Sequence, residues 1–148
     1  MKSINPYINF DGNCEEAFLF YQSIFGGEFP YIGRFSEMPA DGEFKVPESA
    51  ANKIMHVSLP IGNSVLMGCD SCEGFGPPLQ VGNNFSVSAN ADSDEEVDRV
   101  FNALAEGGSV NMPPNKTFWG SYFGMLTDKF GINWMISCES EENQVTAV

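Results

Sequence analysis

The stretch Thr117 to Ser137, TFWGSYFGMLTDKFGINWMIS, carries both tryptophans of the chain and its densest run of aromatics. Apolar and aromatic residues from Phe118 to Leu126, turn chemistry at Asp128-Lys129-Phe130-Gly131, and apolar residues from Ile132 to Ile136 predict two strands joined by a turn. A hairpin this aromatic must face either a packed core or a concave binding surface.

Upstream of it, Asn84 to Asn90 alternates Phe85, Val87 and Ala89 against Ser86 and Ser88, which predicts a strand. Ser93 with Glu96 forms a capping box, Val97, Val100, Phe101 and Leu104 make a helical stripe, and Gly107-Gly108 ends the helix. Gly108 to Met112 reads as a further strand, interrupted by Met112-Pro113-Pro114-Asn115. This half is therefore strand, helix, three strands.

The first half repeats the plan. Residues 3 to 10, SINPYINF, alternate as a half-buried strand, and Asn13 with Glu16 looks like a helix cap with its box partner. Ala17, Phe18, Phe20, Tyr21, Ile24 and Phe25 recur at helical spacing before Gly26-Gly27. Strands follow at Glu28 to Phe35, Lys53 to Ile61 and Ser64 to Cys69, the last two joined at Gly62-Asn63. The second of these places Ile54, His56 and Ser58 on one face, opposite Met55, Val57, Leu59 and Ile61. Laid over each other at an offset of 80 or 81 residues, the two helices match, as an internal duplication requires. Between strands, residues 36 to 53 read as a lid or binding loop, and residues 70 to 82 as a linker. The fold class is α+β, one domain over 1–148: module one at about 3–72, a linker at about 73–82, module two at about 83–138 and an acidic tail at 139–148.

A net charge of -13, from 20 acidic and 7 basic side chains, repels a phosphate backbone, so nucleic acid is a poor partner. No apolar run reaches the length of a membrane span, and MKSINPYINF lacks the core of a signal peptide; the expectation is a cytoplasmic protein without a membrane partner. In that compartment Cys14, Cys69, Cys72 and Cys138 are free thiols. The pair Cys69-Asp70-Ser71-Cys72 has metal-site spacing, but no second pair accompanies it. The sequence carries no GxGxxG after a strand, no phosphate loop, no GxSxG elbow and no HExxH.

The tandem βαβββ plan, Phe20-Tyr21 followed by FGGE at Phe25 to Glu28, the strand IMHVSLPIGNSVLMGCD, and the closing WGSYFGMLTDKFGINWMI together resemble the vicinal-oxygen-chelate superfamily. That superfamily includes glyoxalase I, bleomycin and fosfomycin resistance proteins and extradiol dioxygenases. Within it the chain is most similar to the PhnB-like branch, labelled 3-demethylubiquinone-methyltransferase-like. The resemblance implies eight strands curled into a half-open barrel around a cavity, and assembly as a homodimer. In metal-dependent members each module contributes two ligands, usually His or Glu. Carried over, those positions fall at about Asn5 to Tyr7, on Met67, on Asn84 and on Met135, which offer a hard divalent ion none of its usual ligands. No cofactor is therefore expected.

His56 is the only histidine, and it reads either as a hydrogen-bonded sheet residue or as an acid or base in a cavity. Asn9, Ser86 and Ser88 could supply polar contacts to a ligand or simply be exposed strand residues. Trp119, Tyr122, Phe123, Phe130 and Trp134 read as core or dimer contacts, or as a stacking wall for a flat ligand. The candidate cavity is Tyr7, Asn9, His56, Met67, Ser86, Ser88, Trp119, Tyr122 and Met135, with His56 the catalytic candidate if a reaction occurs. The expected function is binding of a small organic molecule without the usual divalent metal. The alternatives are a metal-dependent lyase, transferase or dioxygenase with a non-standard ligand set including His56, and a dimerisation or regulatory module.

Overall fold

Two four-stranded sheets of the same connectivity follow from the alternation, as a computed structural model of the protein describes over residues 1–38 and 45–139. The first unit, Met1–Gln80, contains β1 (Tyr7–Phe10), α1 (Cys14–Phe25), β2 (Tyr31–Arg34), β3 (Ile54–Ile61) and β4 (Ser64–Asp70) in the order β1-β4-β3-β2. The second, Val81–Val148, contains β5 (Val87–Asn90), α2 (Asp94–Ala105), β6 (Ser109–Lys116), β7 (Ser121–Thr127) and β8 (Asn133–Glu139) in the order β5-β8-β7-β6. In each, the first strand lies parallel to the last and the other pairings are antiparallel. Each half is strand, helix, three strands, as the sequence predicts.

Each helix packs its apolar stripe on one face of its own sheet. In α1 that stripe is Cys14, Ala17, Phe18, Tyr21 and Ile24; in α2 it is Val97, Val100, Phe101 and Leu104. Full burial of each such side chain stabilises the unit by roughly 1.5–3 kcal/mol. The sheets meet the helices so closely that a methyl at Gly68 would lie 2.7 Å from the Phe18 ring, and one at Gly124 would lie 2.8 Å from Phe101. Glycine at these strand positions is what lets the helices approach.

Several boundaries differ from the sequence reading, each for a physical reason. β1 starts only at Tyr7, because Pro6 has no N–H; the segment before it is held instead by Met67 N–H donating to the Pro6 carbonyl at 3.1 Å and Val65 N–H donating to Asn5 Oδ1 at 3.0 Å. β2 is only Tyr31–Arg34, after which Phe35–Glu37 winds into a 3-10 turn. The register between β2 and β3 slips past Met55, so Ile54 is buried with Val57 and Leu59 rather than sharing the face of His56 and Ser58. β6 runs through Pro113 and Pro114 instead of ending before them, at a sheet edge and with register irregularities on either side of Met112. β7 begins at Ser121, since Thr117 to Gly120 form a turn closed by Gly120 N–H donating to the Thr117 carbonyl. Residues 39–44 of the expected loop and the tail beyond Glu139 lie outside the described residues.

The two helices are capped differently. Ser93 Oγ accepts from the Glu96 N–H at 3.1 Å, as its capping box predicts. The Asn13 side chain makes no such bond; the Cys14 N–H donates instead to Asp70 Oδ1 at 2.9 Å, from the end of β4. Asp70 Oδ2 accepts from the Ile54 N–H at 2.8 Å, and the carboxylate is buried. Replacing it leaves two N–H groups without acceptors, at about 1–3 kcal/mol each. Urea unfolding should therefore show Asp70→Ala losing roughly 2–6 kcal/mol, and Ser93→Ala only about 1 kcal/mol; equal losses would contradict the unequal roles.

Candidate functional site

Strand alternation sorts the first sheet into two faces. Ile8, Phe10, Val57, Leu59 and Leu66 turn toward α1, and Tyr7, Asn9, His56, Ser58, Met67 and Cys69 occupy the open face. Register places Tyr7 beside Met67, Asn9 beside Cys69 and Ser58 opposite Met67. Across this face runs a chain of polar contacts. Tyr7 Oη lies 3.2 Å from His56 Nδ1, and Cys69 Sγ donates to Asn9 Oδ1 at 3.2 Å. The His56 ring sits between two phenols, 5.6 Å from Tyr7 and 5.7 Å from Tyr31 between centroids.

Over one end of this face lies a cavity of about 720 Å³. Tyr7, Asn9 and Cys69 border it on the sheet, while Phe35, Met55 and the segment from Phe75 to Gln80 supply apolar walls. Phe35 anchors that wall: it is buried with Ala50 and Cys72, against Met38, Val46 and Met55, and its ring stands 5.6 Å from Phe75. Among the described residues Asp70 is the only lining residue that carries a formal charge, and both its oxygens accept backbone N–H groups. Such a mainly apolar cleft with a few polar groups is the usual form of a small-molecule site.

Burial sets the ionisation of these groups. Loss of solvent, reinforced by the bond to Cys69, holds the Tyr7 phenol well above its ordinary range. Burial also pushes the Cys69 thiol up, an effect that the Tyr7 hydroxyl bond partly offsets and the Asp70 charge reinforces. Both groups therefore face the cavity protonated.

Of the residues singled out from sequence, Tyr7, Asn9, His56 and Met67 share the open face, and Tyr7 and Asn9 line the cavity. In the second unit, Ser88 pairs with Met135, which faces Met125 across β7. Tyr122 stands on the other face, where its hydroxyl donates to Asp98 of α2 at 2.6 Å, so it does not join Ser88 and Met135. Trp119 lies in the turn before β7, half exposed against Phe123, and Ser86 precedes β5. Trp134 is core, its indole N–H donating to Asp128 Oδ2 at 2.9 Å.

Cys69, Phe35, Met55 and the Phe75–Gln80 wall escaped the sequence reading. Cys69 was within reach, since alternation in β4 puts it on the face of Met67. The wall has no periodicity to betray it. It falls largely in the stretch that reads as a linker.

The positions to which the resemblance carries the metal ligands, about Asn5 to Tyr7, Met67, Asn84 and Met135, hold asparagine amides, the Tyr7 phenol and two thioethers. Phenol, thioether and amide are not the donor set of a hard divalent ion. Among the described residues, no group of three or more His, Cys, Asp or Glu side chains is placed to hold a metal. The usual ion therefore does not fit these residues.

The tandem βαβββ fold is shared with a solved structure from Burkholderia phytofirmans, a glyoxalase/bleomycin resistance protein/dioxygenase family enzyme. It is 18% identical, with a TM-score of 0.57 over 90% of this chain and 97% of that one. The chain belongs to the family described as 3-demethylubiquinone-9 3-methyltransferase, whose model matches residues 2–137. Protein YjdN of Escherichia coli is 32% identical over 94% of this chain and 97% of its own. The structure of PA1353 from Pseudomonas aeruginosa is 42% identical, with a TM-score of 0.79 over 93% of this chain and 97% of that one. The PhnB protein from Bacillus cereus is 28% identical, with a TM-score of 0.71 over 92% and 98%.

The geometry predicts an order of thiol reactivity. Cys14, Cys72 and Cys138 are buried, so iodoacetamide at pH 8 should modify Cys69 first. Tyr7→Phe removes the bond that favours its thiolate and should slow that modification severalfold. Peptide mass mapping reads both, and faster modification in the variant would contradict the assigned bond.

Proposed function

We propose that this protein binds a small organic molecule in the cavity of its first unit. The observation that supports this most is the cavity itself: apolar walls from Phe35, Met55 and Phe75 over polar groups from Tyr7, Asn9 and Cys69. Flat molecules suit it, because rings offer the walls contact area at small entropic cost and their polar atoms can meet the sheet. His56, held behind Tyr7, orients the hydroxyl that a ligand would meet.

A cytoplasmic location belongs to the same proposal, supported by four free cysteines and by the absence, among the described residues, of a helix long and apolar enough to cross a membrane. So does a homodimer. Phe118 is almost wholly exposed and Trp119 half exposed, in edge contact at 4.9 Å, and an exposed aromatic pair is what a partner surface would cover. Sedimentation equilibrium should give twice the chain mass of 16.2 kDa, with Phe118→Ser shifting the population to the single-chain mass; a wild-type monomer at all concentrations would remove the dimer.

For binding, an uncharged aromatic ligand at a hundredfold excess over its Kd should stabilise the fold by about 2.7 kcal/mol. Asn9→Trp, which fills the cavity from an exposed edge position, should abolish that shift, while Ser88→Trp on the second sheet should leave it intact. Thermal unfolding with a panel of bicyclic aromatics checks this. Loss of the shift in Ser88→Trp and not in Asn9→Trp would move the site to the second unit.

A further inference from the structure

We propose that the cavity of the first unit takes an uncharged ligand, and that His56 sets which hydrogen-bonding group this ligand must bring to Tyr7. The requirement is a donor while Nδ1 carries no proton, as in the Nε2–H tautomer of the neutral ring, and an acceptor once Nδ1 is protonated. The inference rests on the binding function proposed above, and adds the ligand's class and the residue that selects it.

The absence of charge in the ligand follows from the lining. Among the described residues its single formally charged one, Asp70, already spends both oxygens on the Cys14 and Ile54 N–H groups, and no lysine or arginine borders the cavity. An ion entering this cleft would give up water and gain no opposite charge.

The selection follows from proton counting along the chain of contacts. Tyr7 has one proton and sits 3.2 Å from His56 Nδ1. When Nδ1 is unprotonated it accepts from the phenol, and the Tyr7 oxygen then offers the cavity only its lone pairs. When the imidazole is protonated, both ring nitrogens donate, so Nδ1–H must point at the Tyr7 oxygen and the phenol proton must turn elsewhere. It can turn toward the cavity, where Tyr7 is a lining residue, or toward Cys69 Sγ, a weak acceptor. A ligand carbonyl or ether oxygen is the stronger alternative. The phenol keeps its proton in both states because burial opposes its ionisation.

The groups that face His56 are the phenols of Tyr7 from β1 and Tyr31 from β2, with the Cys69 thiol of β4 beyond Tyr7 and the Ser58 hydroxyl next on its own strand face. Tyr7 and Cys69 keep their protons because burial opposes their ionisation, and the reversal is assigned to His56 itself.

The test uses two uncharged bicyclic probes of matched shape: indole, whose N–H only donates, and 1-indanone, whose carbonyl only accepts. Their affinities for the full chain are measured by ligand-observed NMR at pH 5 and pH 8, with benzoate and benzylammonium as charged controls. Indole should bind about fivefold more tightly at pH 8 than at pH 5, and 1-indanone about fivefold more tightly at pH 5, the scale of one hydrogen bond. His56→Gln should bind both probes with no pH dependence. The single-histidine ring signals in a ¹⁵N spectrum should move over the same pH interval as the affinities. Binding of both probes with flat or parallel pH profiles, or opposite profiles that persist in His56→Gln, overturns the selection while leaving the site in place. Charged controls binding as tightly as the neutral probes overturns the ligand class. No binding by any probe at either pH removes the proposed site together with the inference.

Discussion

A single buried carboxylate ties the first unit together. Asp70 ends β4, and from there it accepts the first N–H of α1 and the first N–H of β3, so one side chain fixes the helix start, the strand entry and the sheet end relative to one another. The Cys14 and Ile54 N–H groups would otherwise lie buried without acceptors, an arrangement folded proteins avoid. Everything that forms the cavity hangs from this knot. Asp70 brings β4 against the parallel β1, and so sets Cys69 beside Asn9 and Met67 beside Tyr7.

The duplicated plan shows how one architecture accommodates two chemistries. Asn9 with Cys69 in the first unit has a counterpart in Asn90 with Ser137, whose hydroxyl donates to Asn90 Oδ1 at 2.9 Å. Beside them the units diverge. Tyr7 and Met67 face His56 and the cavity in the first, whereas Ser88 and Met135 run into Met125 and Met112 in the second, a row of flexible apolar side chains with no titratable neighbour in register. The buried carboxylate also moves: in the second unit Asp128 takes the Phe130 and Ile132 N–H groups and the Trp134 indole, closing the β7–β8 turn and leaving helix capping to Ser93. The two units share one topology, and the side chains on their open faces differ.

The fold was legible because alternation and helical spacing are local signals that burial enforces. Phe85 to Ala89 and Val97 to Leu104 announce a strand and a helix whatever surrounds them, and the repeat at 80 residues fixes the connectivity. Boundaries were less legible where tertiary contacts override local rules: Pro6 held by neighbours rather than by ladder bonds, Met55 slipped out of register, and β6 carried through two prolines at an edge. At the site, alternation placed Tyr7 and Asn9 on one face, and the resemblance supplied Met67. It could not reveal that Asp70 caps a helix 56 residues away, nor that Phe75 to Gln80 fold back as a wall, since neither depends on a periodic pattern. Tyr122 was misplaced for a related reason: its parity follows Gly124 and Leu126, which touch α2, and an aromatic run hides parity.

The central claim is that the first unit's cavity holds the ligand, and amide chemical-shift mapping during titration with an uncharged aromatic fragment such as indole tests it most directly. The account predicts saturable shifts concentrated at Tyr7, Asn9, Cys69, Phe75 and Leu79, with Ser88, Met125 and Met135 unmoved. Shifts confined to the second sheet, or none at saturating fragment, would contradict it.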